Sequence, residues 1–175
     1  MEGKGIFYLN TGDRYEDEFK NDKFEGKGIY YHNDSGNRYE GEWKKDKKEG
    51  KGIYYYNSGD RYEGDWKNGK KEGKGIFYWN NGDRYEGDFK NDKMEGKGIF
   101  YFNREPWKGD RYEGDYKNGK REGKGIYYYD NGDRYEGDWK MIIRKEKDFI
   151  IMLMVNYVKI IGKMERAKER NLLLY

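Results

Sequence analysis

The stretch Tyr62-Glu63-Gly64-Asp65-Trp66-Lys67-Asn68-Gly69-Lys70-Lys71-Glu72-Gly73-Lys74-Gly75-Ile76-Phe77-Tyr78 contains the whole architecture of this chain in one unit. Its first part, with Arg61, alternates with the two-residue period of a β-strand, so Tyr62, Gly64 and Trp66 share one face and the charges take the other. Asn68-Gly69 supplies residues that tolerate positive φ, as a tight hairpin turn requires. Gly73 to Tyr78 reads as the returning strand. Ser58-Gly59 and Asn81-Gly82 mark further turns on either side, and the implied path is a meander.

Outward from this unit the pattern recurs. A Gly-Ile-aromatic motif begins at Gly5, Gly28, Gly52, Gly75, Gly98 and Gly125, and Arg-Tyr-Glu begins at Arg14, Arg38, Arg61, Arg84, Arg111 and Arg134. The two motifs alternate through residues 1–140, so one supersecondary unit is repeated along the chain. With Tyr-x-Gly-x-Trp, then Asn-Gly, then Gly-x-Gly in about 23 residues, the unit resembles the MORN (membrane occupation and recognition nexus) repeat. Departures are local: Asp17 stands at a glycine position, Phe19, Phe89 and Tyr116 stand at the Trp position, and extra residues around Pro106-Trp107 lengthen one connection. That insertion is expected to bulge from a regular array.

The expected fold is all-β: an elongated single-layer antiparallel meander of stacked hairpins, about 12 strands, with an irregular or helical C-terminal tail. Residues 1–140 form the array of about six repeats, the first and last incomplete, and residues 141–175 the tail. At about 4.8 Å per strand the ladder spans roughly 55–60 Å. Leu, Ile, Val and Phe number only 27 of 175 residues, and the mean hydropathy is -1.43, too little aliphatic material for a closed core. The 20 tyrosines supply packing instead. Two aromatic ladders follow from the period: Tyr39, Tyr62, Tyr85, Tyr112 and Tyr135, and Trp43, Trp66, Phe89, Tyr116 and Trp139. Packing on neighbouring repeats is their first reading and partner contact their second.

The net charge is only +3, yet its signs are segregated. The hairpin segment Lys67, Lys70, Lys71 and Lys74, with its equivalents Lys44, Lys47, Lys48, Lys51 and Lys117, Lys120, Arg121, Lys124, predicts a basic stripe along one long edge. Such a stripe suits acidic lipid headgroups or an acidic protein, and equally protects an exposed edge from pairing. A near-neutral array gains little from counterion release, which argues against nucleic acid.

No constellation stands apart from the repeat as catalysis demands. Glu63 and Asp65 recur in most units and read as a solvated face. His32 replaces an aromatic residue of other repeats and reads as an exposed strand substitution. Gly73-Lys74-Gly75 lacks the third glycine or the Ser/Thr of a phosphate loop. No catalytic residue, metal set, cofactor or small-molecule substrate is therefore expected. The absence of cysteine and of an apolar leader fits a cytoplasmic protein.

Both ends read as irregular. Residues 141–175 lack the repeat motifs, and the uncharged run Phe149 to Val158 is too short to span a bilayer. Codons compatible with Lys140 to Val155 encode a further repeat strand in another frame, so the tail is read as a frameshifted repeat. Tyr135 and Trp139 are then expected to lie uncovered at an open edge. Met1 to Phe7 repeats Met94 to Phe100, which marks the chain as part of a longer array. The resemblance implies a non-catalytic scaffold for protein partners at cytoskeletal structures or membrane contacts, with homodimers among its forms. It implies as alternatives an acidic phospholipid (phosphoinositide) binding module, or the accessory repeats of a phosphatidylinositol-phosphate kinase or SET-type lysine methyltransferase whose catalytic domain lies elsewhere.

Overall fold

The computed structural model describes residues 2–140 and, as backbone alone, residues 159–161. The strands are β1 (Gly3–Tyr8), β2 (Arg14–Lys20), β3 (Lys23–Tyr31), β4 (Arg38–Lys44), β5 (Lys47–Tyr55), β6 (Arg61–Lys67), β7 (Lys70–Tyr78), β8 (Arg84–Lys90), β9 (Lys93–Tyr101), β10 (Arg111–Lys117), β11 (Lys120–Tyr128), β12 (Arg134–Lys140) and the short β13 (Lys159–Ile161). Each pairs antiparallel with its neighbours in chain order, giving one open sheet. No helix occurs among the described residues.

Two kinds of strand junction alternate. Between units the ladder is unbroken: β5 and β6 pair from Gly50↔Trp66 to Tyr55↔Arg61. Inside a unit it slips: β6 and β7 pair Gly64↔Gly75 and then Trp66↔Lys71. The returning strand thus carries two more residues than its partner across this step, a bulge that Gly73 accommodates at a φ of 68°. Asp65 satisfies it, its Oδ2 accepting from the Lys74 N–H at 3.0 Å. The returning strand consequently begins at Lys70, three residues before the point where the simple alternation was legible. The insertion between β9 and β10 leaves the register intact, Tyr101↔Arg111 to Gly98↔Gly114.

Glycine makes a core possible in a single layer. The Tyr62 ring lies over Gly64 and Gly75, where an added Cβ would stand 2.6 Å and 2.5 Å from its hydroxyl. The hydroxyl donates to the Asp65 carbonyl at 3.0 Å. Trp66 and Phe89 close on the ring edge-on, at centroid distances of 5.3 Å and 4.9 Å. Trp66 itself donates Nε1–H to the Gly52 carbonyl at 3.1 Å, reaching back one strand. Tyr15, Tyr39, Tyr62, Tyr85 and Tyr112 are thereby 0% exposed, although the described residues form no second layer over them.

The end of the array differs from expectation. Tyr135 and Trp139 are buried, not uncovered. Trp139 packs on Tyr112 at 4.9 Å and on Tyr127 at 6.2 Å, both from the repeat before it, and Tyr135 meets the Trp139 ring edge-on at 5.4 Å. The edge beyond Arg134–Glu136 pairs with β13, a strand where an irregular or helical tail was expected. The remaining tail, on which the helical and frameshift readings fall, lies outside the described residues.

Candidate binding surfaces

The aromatic face carries more than the two ladders legible in the sequence. A third row zigzags beside them, through Tyr30, His32, Tyr54, Tyr56, Phe77, Trp79, Phe100, Phe102, Tyr127 and Tyr129, with successive rings 4.6 to 6.1 Å apart. These rings sit at the ends of the returning strands or just beyond, and most are half-buried. The signal was available: from Ile29-Tyr30 onward, a ring (His32, Tyr56, Trp79, Phe102, Tyr129) recurs two positions after the second residue of each Ile-aromatic pair. His32 occupies one of these slots, half-buried just past β3, so it is not an exposed strand substitution. Burial holds its pKa below the ordinary value, aided by the Lys48 charge.

The expected basic stripe is split three ways, because alternation sends successive residues to opposite faces and the bulge reverses the order within each returning strand. Lys48, Lys71 and Arg121 lie on the aromatic face. The Lys48 ammonium stands 4.1 Å over Tyr54, 5.0 Å over Trp66 and 5.2 Å over Tyr39. Lys71 donates to the Tyr56 hydroxyl at 3.0 Å, and the Arg121 guanidinium lies 4.6 Å over Tyr112. Lys51, Lys74 and Lys124 line the opposite face. Lys51 and Lys74 there meet Asp65 and Asp88 at 2.6 Å and 2.7 Å. Only Lys44, Lys47, Lys67, Lys70, Lys117 and Lys120 remain at the hairpin edge. They face each other in pairs across the hairpins, as do Lys20 and Lys23, and Lys90 and Lys93.

The opposite face forms a groove of about 1680 Å³ that runs from Asp17 to Asp138. Its floor repeats one set of residues: isoleucines such as Ile53 and Ile76, glutamates such as Glu63 and Glu86, and strand glycines. Glu63 lies opposite both Ile53 and Ile76, so carboxylates and aliphatic side chains alternate along the groove. The same face also carries Arg-Tyr pairs: Arg61 stacks on Tyr78 at 4.3 Å and approaches Glu63 at 3.6 Å. Glu16, Glu40, Glu63 and Glu86 meet an arginine, and Asp17, Asp65, Asp88 and Asp115 a lysine, so most neighbouring charges of the groove face offset one another.

Side-chain acceptors clasp adjacent repeats at both edges, a feature the sequence reading missed. At the hairpin edge, Glu49 accepts from Asn68 N–H at 2.9 Å and Glu72 from Asn91 N–H at 3.1 Å. At the other edge, Asp60 accepts from Asn80 N–H and Asp110 from Asp130 N–H, both at 2.8 Å. Asp13 performs the same task for Asn33 at 2.9 Å and accepts from the Tyr30 hydroxyl at 2.7 Å, contacts that hold its carboxyl below the usual range. Ligand atoms of Asp13, His32 and Asp34 come within 4.8 Å of one another. Because Asp13 is the first member of the clasp series, its position follows from the repeat interface.

The MORN repeat family matches residues 15–36, 39–61, 62–84, 85–104 and 112–134. No curated protein matches the chain. Among solved structures it is similar to the TCP domain of SAS-4 (dCPAP) of Drosophila melanogaster, solved in complex with a proline rich motif of Ana2 (dSTIL). That likeness is 13% in identity over 91% of this chain and 90% of the other, with a TM-score of 0.45, too distant to bear on function. The five matched segments cover more than half of the sequence and coincide with the hairpin units described above: the chain belongs to the MORN repeat family.

Proposed function

We propose that the array is a non-catalytic scaffold that holds protein partners along its groove. One observation carries this reading: the groove runs from Asp17 to Asp138 and repeats the same Ile-Glu-Gly floor through the interior units. An extended, uniform surface favours a long partner contacted many times over a single small ligand, since multiple weak contacts add in avidity. Balanced charge along the groove suits a partner with an apolar stripe flanked by mixed charges. Cytoplasmic placement at a cytoskeletal structure or membrane contact fits this role. Among the described residues no helix is long and apolar enough to cross a membrane.

The test is proximity labelling in cells with the intact chain and with Ile53→Lys, Ile76→Lys and Ile99→Lys combined. Loss of a defined partner set in a variant that still folds supports the scaffold, and an unchanged set refutes it.

A second reading rests on the paired hairpin lysines. Like charges directly opposite each other are destabilising, yet the arrangement recurs in five hairpins. An acidic phospholipid surface would relieve that repulsion, so this edge is the proposed lipid contact. Co-sedimentation with phosphatidylserine vesicles that collapses with added salt supports it, and no binding at low salt rules it out.

A further inference from the structure

We propose that the groove recognises carboxylates along one flank only, the one beside the turns between units, and that its occupant is an extended acidic peptide with an acidic side chain at every third position and an aliphatic one in each triplet. This rests on the reading of the groove as a partner surface and adds the chemistry of that partner.

Two rows of cations run along the groove face, one on each side of the Ile-Glu floor, and they differ in how far their charges are used. On the hairpin side the lysines are committed. Lys51, Lys74 and Lys97 meet Oδ1 of Asp65, Asp88 and Asp115 at 2.6 to 2.7 Å. The Oδ2 atom of each aspartate accepts a backbone N–H beside a bulge at 3.0 to 3.1 Å, so both oxygens are taken.

On the turn side the arginines are held in place but their donors are not used up. Arg38, Arg61 and Arg84 stack over Tyr55, Tyr78 and Tyr101 at 4.2 to 4.3 Å. Their approaches to Glu40, Glu63 and Glu86, at 3.7, 3.6 and 3.9 Å, exceed hydrogen-bond length. Nε of Arg38 and of Arg84 is buried without an acceptor. The three side chains are still 38 to 39% exposed, within reach of a partner. Stacking fixes the plane of each guanidinium fork, which is shaped for a carboxylate and loses little freedom on binding one.

Spacing selects the form of the occupant. The arginines recur every second strand, about 9.6 Å apart at about 4.8 Å per strand. A chain in the extended left-handed conformation has three residues per turn and rises about 3.1 Å per residue, so every third side chain returns to one side after about 9.3 Å. Ile53, Ile76 and Ile99 recur in the floor at the same interval and take the aliphatic member of each triplet. A β-strand sends every third side chain to the opposite face. An α-helix needs about seven residues, or about 10.5 Å, to return to the same side and falls out of step within a few repeats.

Fluorescence anisotropy with the full chain tests this against three labelled peptides of about 15 residues, enough for about five repeats. The first repeats Glu-Val-Gln, the second repeats Lys-Val-Gln, and the third has the composition of the first with its glutamates gathered at one end. The first should bind, more weakly as salt is added, and the other two at least about tenfold less tightly. Arg38→Gln, Arg61→Gln and Arg84→Gln combined should weaken binding of the first about tenfold. Arg38→Lys, Arg61→Lys and Arg84→Lys combined should recover only part of it, because an ammonium keeps the charge without the fork. The proposal is overturned if the unaltered chain fails to bind the first peptide up to about 1 mM, or binds all three alike, comparisons that do not depend on how the variants fold. It is equally overturned if the glutamine variant binds as the unaltered chain does. Proximity labelling with the glutamine variant separates this proposal from the scaffold reading: partners lost with the three isoleucine substitutions but kept with the three glutamines leave the scaffold standing and refute the acidic occupant.

Discussion

Trp66 shows how a single side chain can serve two neighbours. It is 5% exposed, closes edge-on over Tyr39 at 5.1 Å and Tyr62 at 5.3 Å, and spends its only donor on the Gly52 carbonyl. Trp66→Ala is expected to destabilise the array by about 3–5 kcal/mol, as for other large aromatic truncations, when measured by urea denaturation. A loss below about 1 kcal/mol would return this face to the list of ligand surfaces. Lys48, beneath the same indole, makes the opposite case. Burial pushes its pKa down to about 8, with Lys71 acting in the same direction and Asp92 against it. A shift of some two units is worth about 3 kcal/mol, and cation-π attraction returns about 1–2 kcal/mol. Lys48→Met should therefore stabilise the protein by about 1 kcal/mol near pH 7. The sign with pH follows from the lowered folded value. The cost is full below about 8, falls as pH rises, and vanishes above the unfolded value of 10.5. Paired denaturation curves near pH 7 and pH 10 check this, and an advantage that grows with pH would contradict it.

At the scale of the strand and its turn, the sequence was legible wherever side chains alternated and illegible where they did not. The outgoing strand was readable from Arg61 to Trp66 because period two holds throughout it. The returning strand was readable only from Gly73, because the bulge there breaks the alternation and the three residues before it look like turn. The same slip explains the fate of the lysines: Lys70, Lys71 and Lys74 appear contiguous in sequence, yet they reach the hairpin edge, the aromatic face and the groove face respectively. The clasps were missed for another reason. Their partners lie 19 to 23 residues apart, and only the observed register brings them together. Each clasp satisfies a turn N–H, so Asp60→Ala is expected to cost about 1–2 kcal/mol, whereas Asp60→Asn retains an acceptor and costs less. Amide hydrogen exchange at Asn80 offers the local readout, and unchanged protection there in Asp60→Ala would mean the clasp contributes nothing.

Across the described residues, stability is carried by contacts between neighbouring repeats, strand to strand and ring to ring, for no second layer among them ties distant repeats together. Such an array behaves as a one-dimensional chain of coupled units, in which a broken junction matters according to its position. Gly75 and Gly125 occupy equivalent seats, under Tyr62 and Tyr112, so a valine at either site displaces the same ring from the same strand pair. The local cost should be similar, about 1–3 kcal/mol or more from overpacking. Its consequences should differ. Among the described residues only the rest of β11, β12 and the short β13 follow the lesion at Gly125, and that part should fray while the preceding strands unfold as one unit. At Gly75 the lesion divides the array near its middle, leaving two blocks of similar size with a weakened link. Gly75→Val should therefore broaden the denaturation curve and lower its m-value more than Gly125→Val does, as two blocks begin to unfold separately. Equal, sharp transitions for both variants would show that coupling reaches past the nearest neighbour. The groove would then be a rigid platform instead of a surface whose halves respond independently to a bound partner.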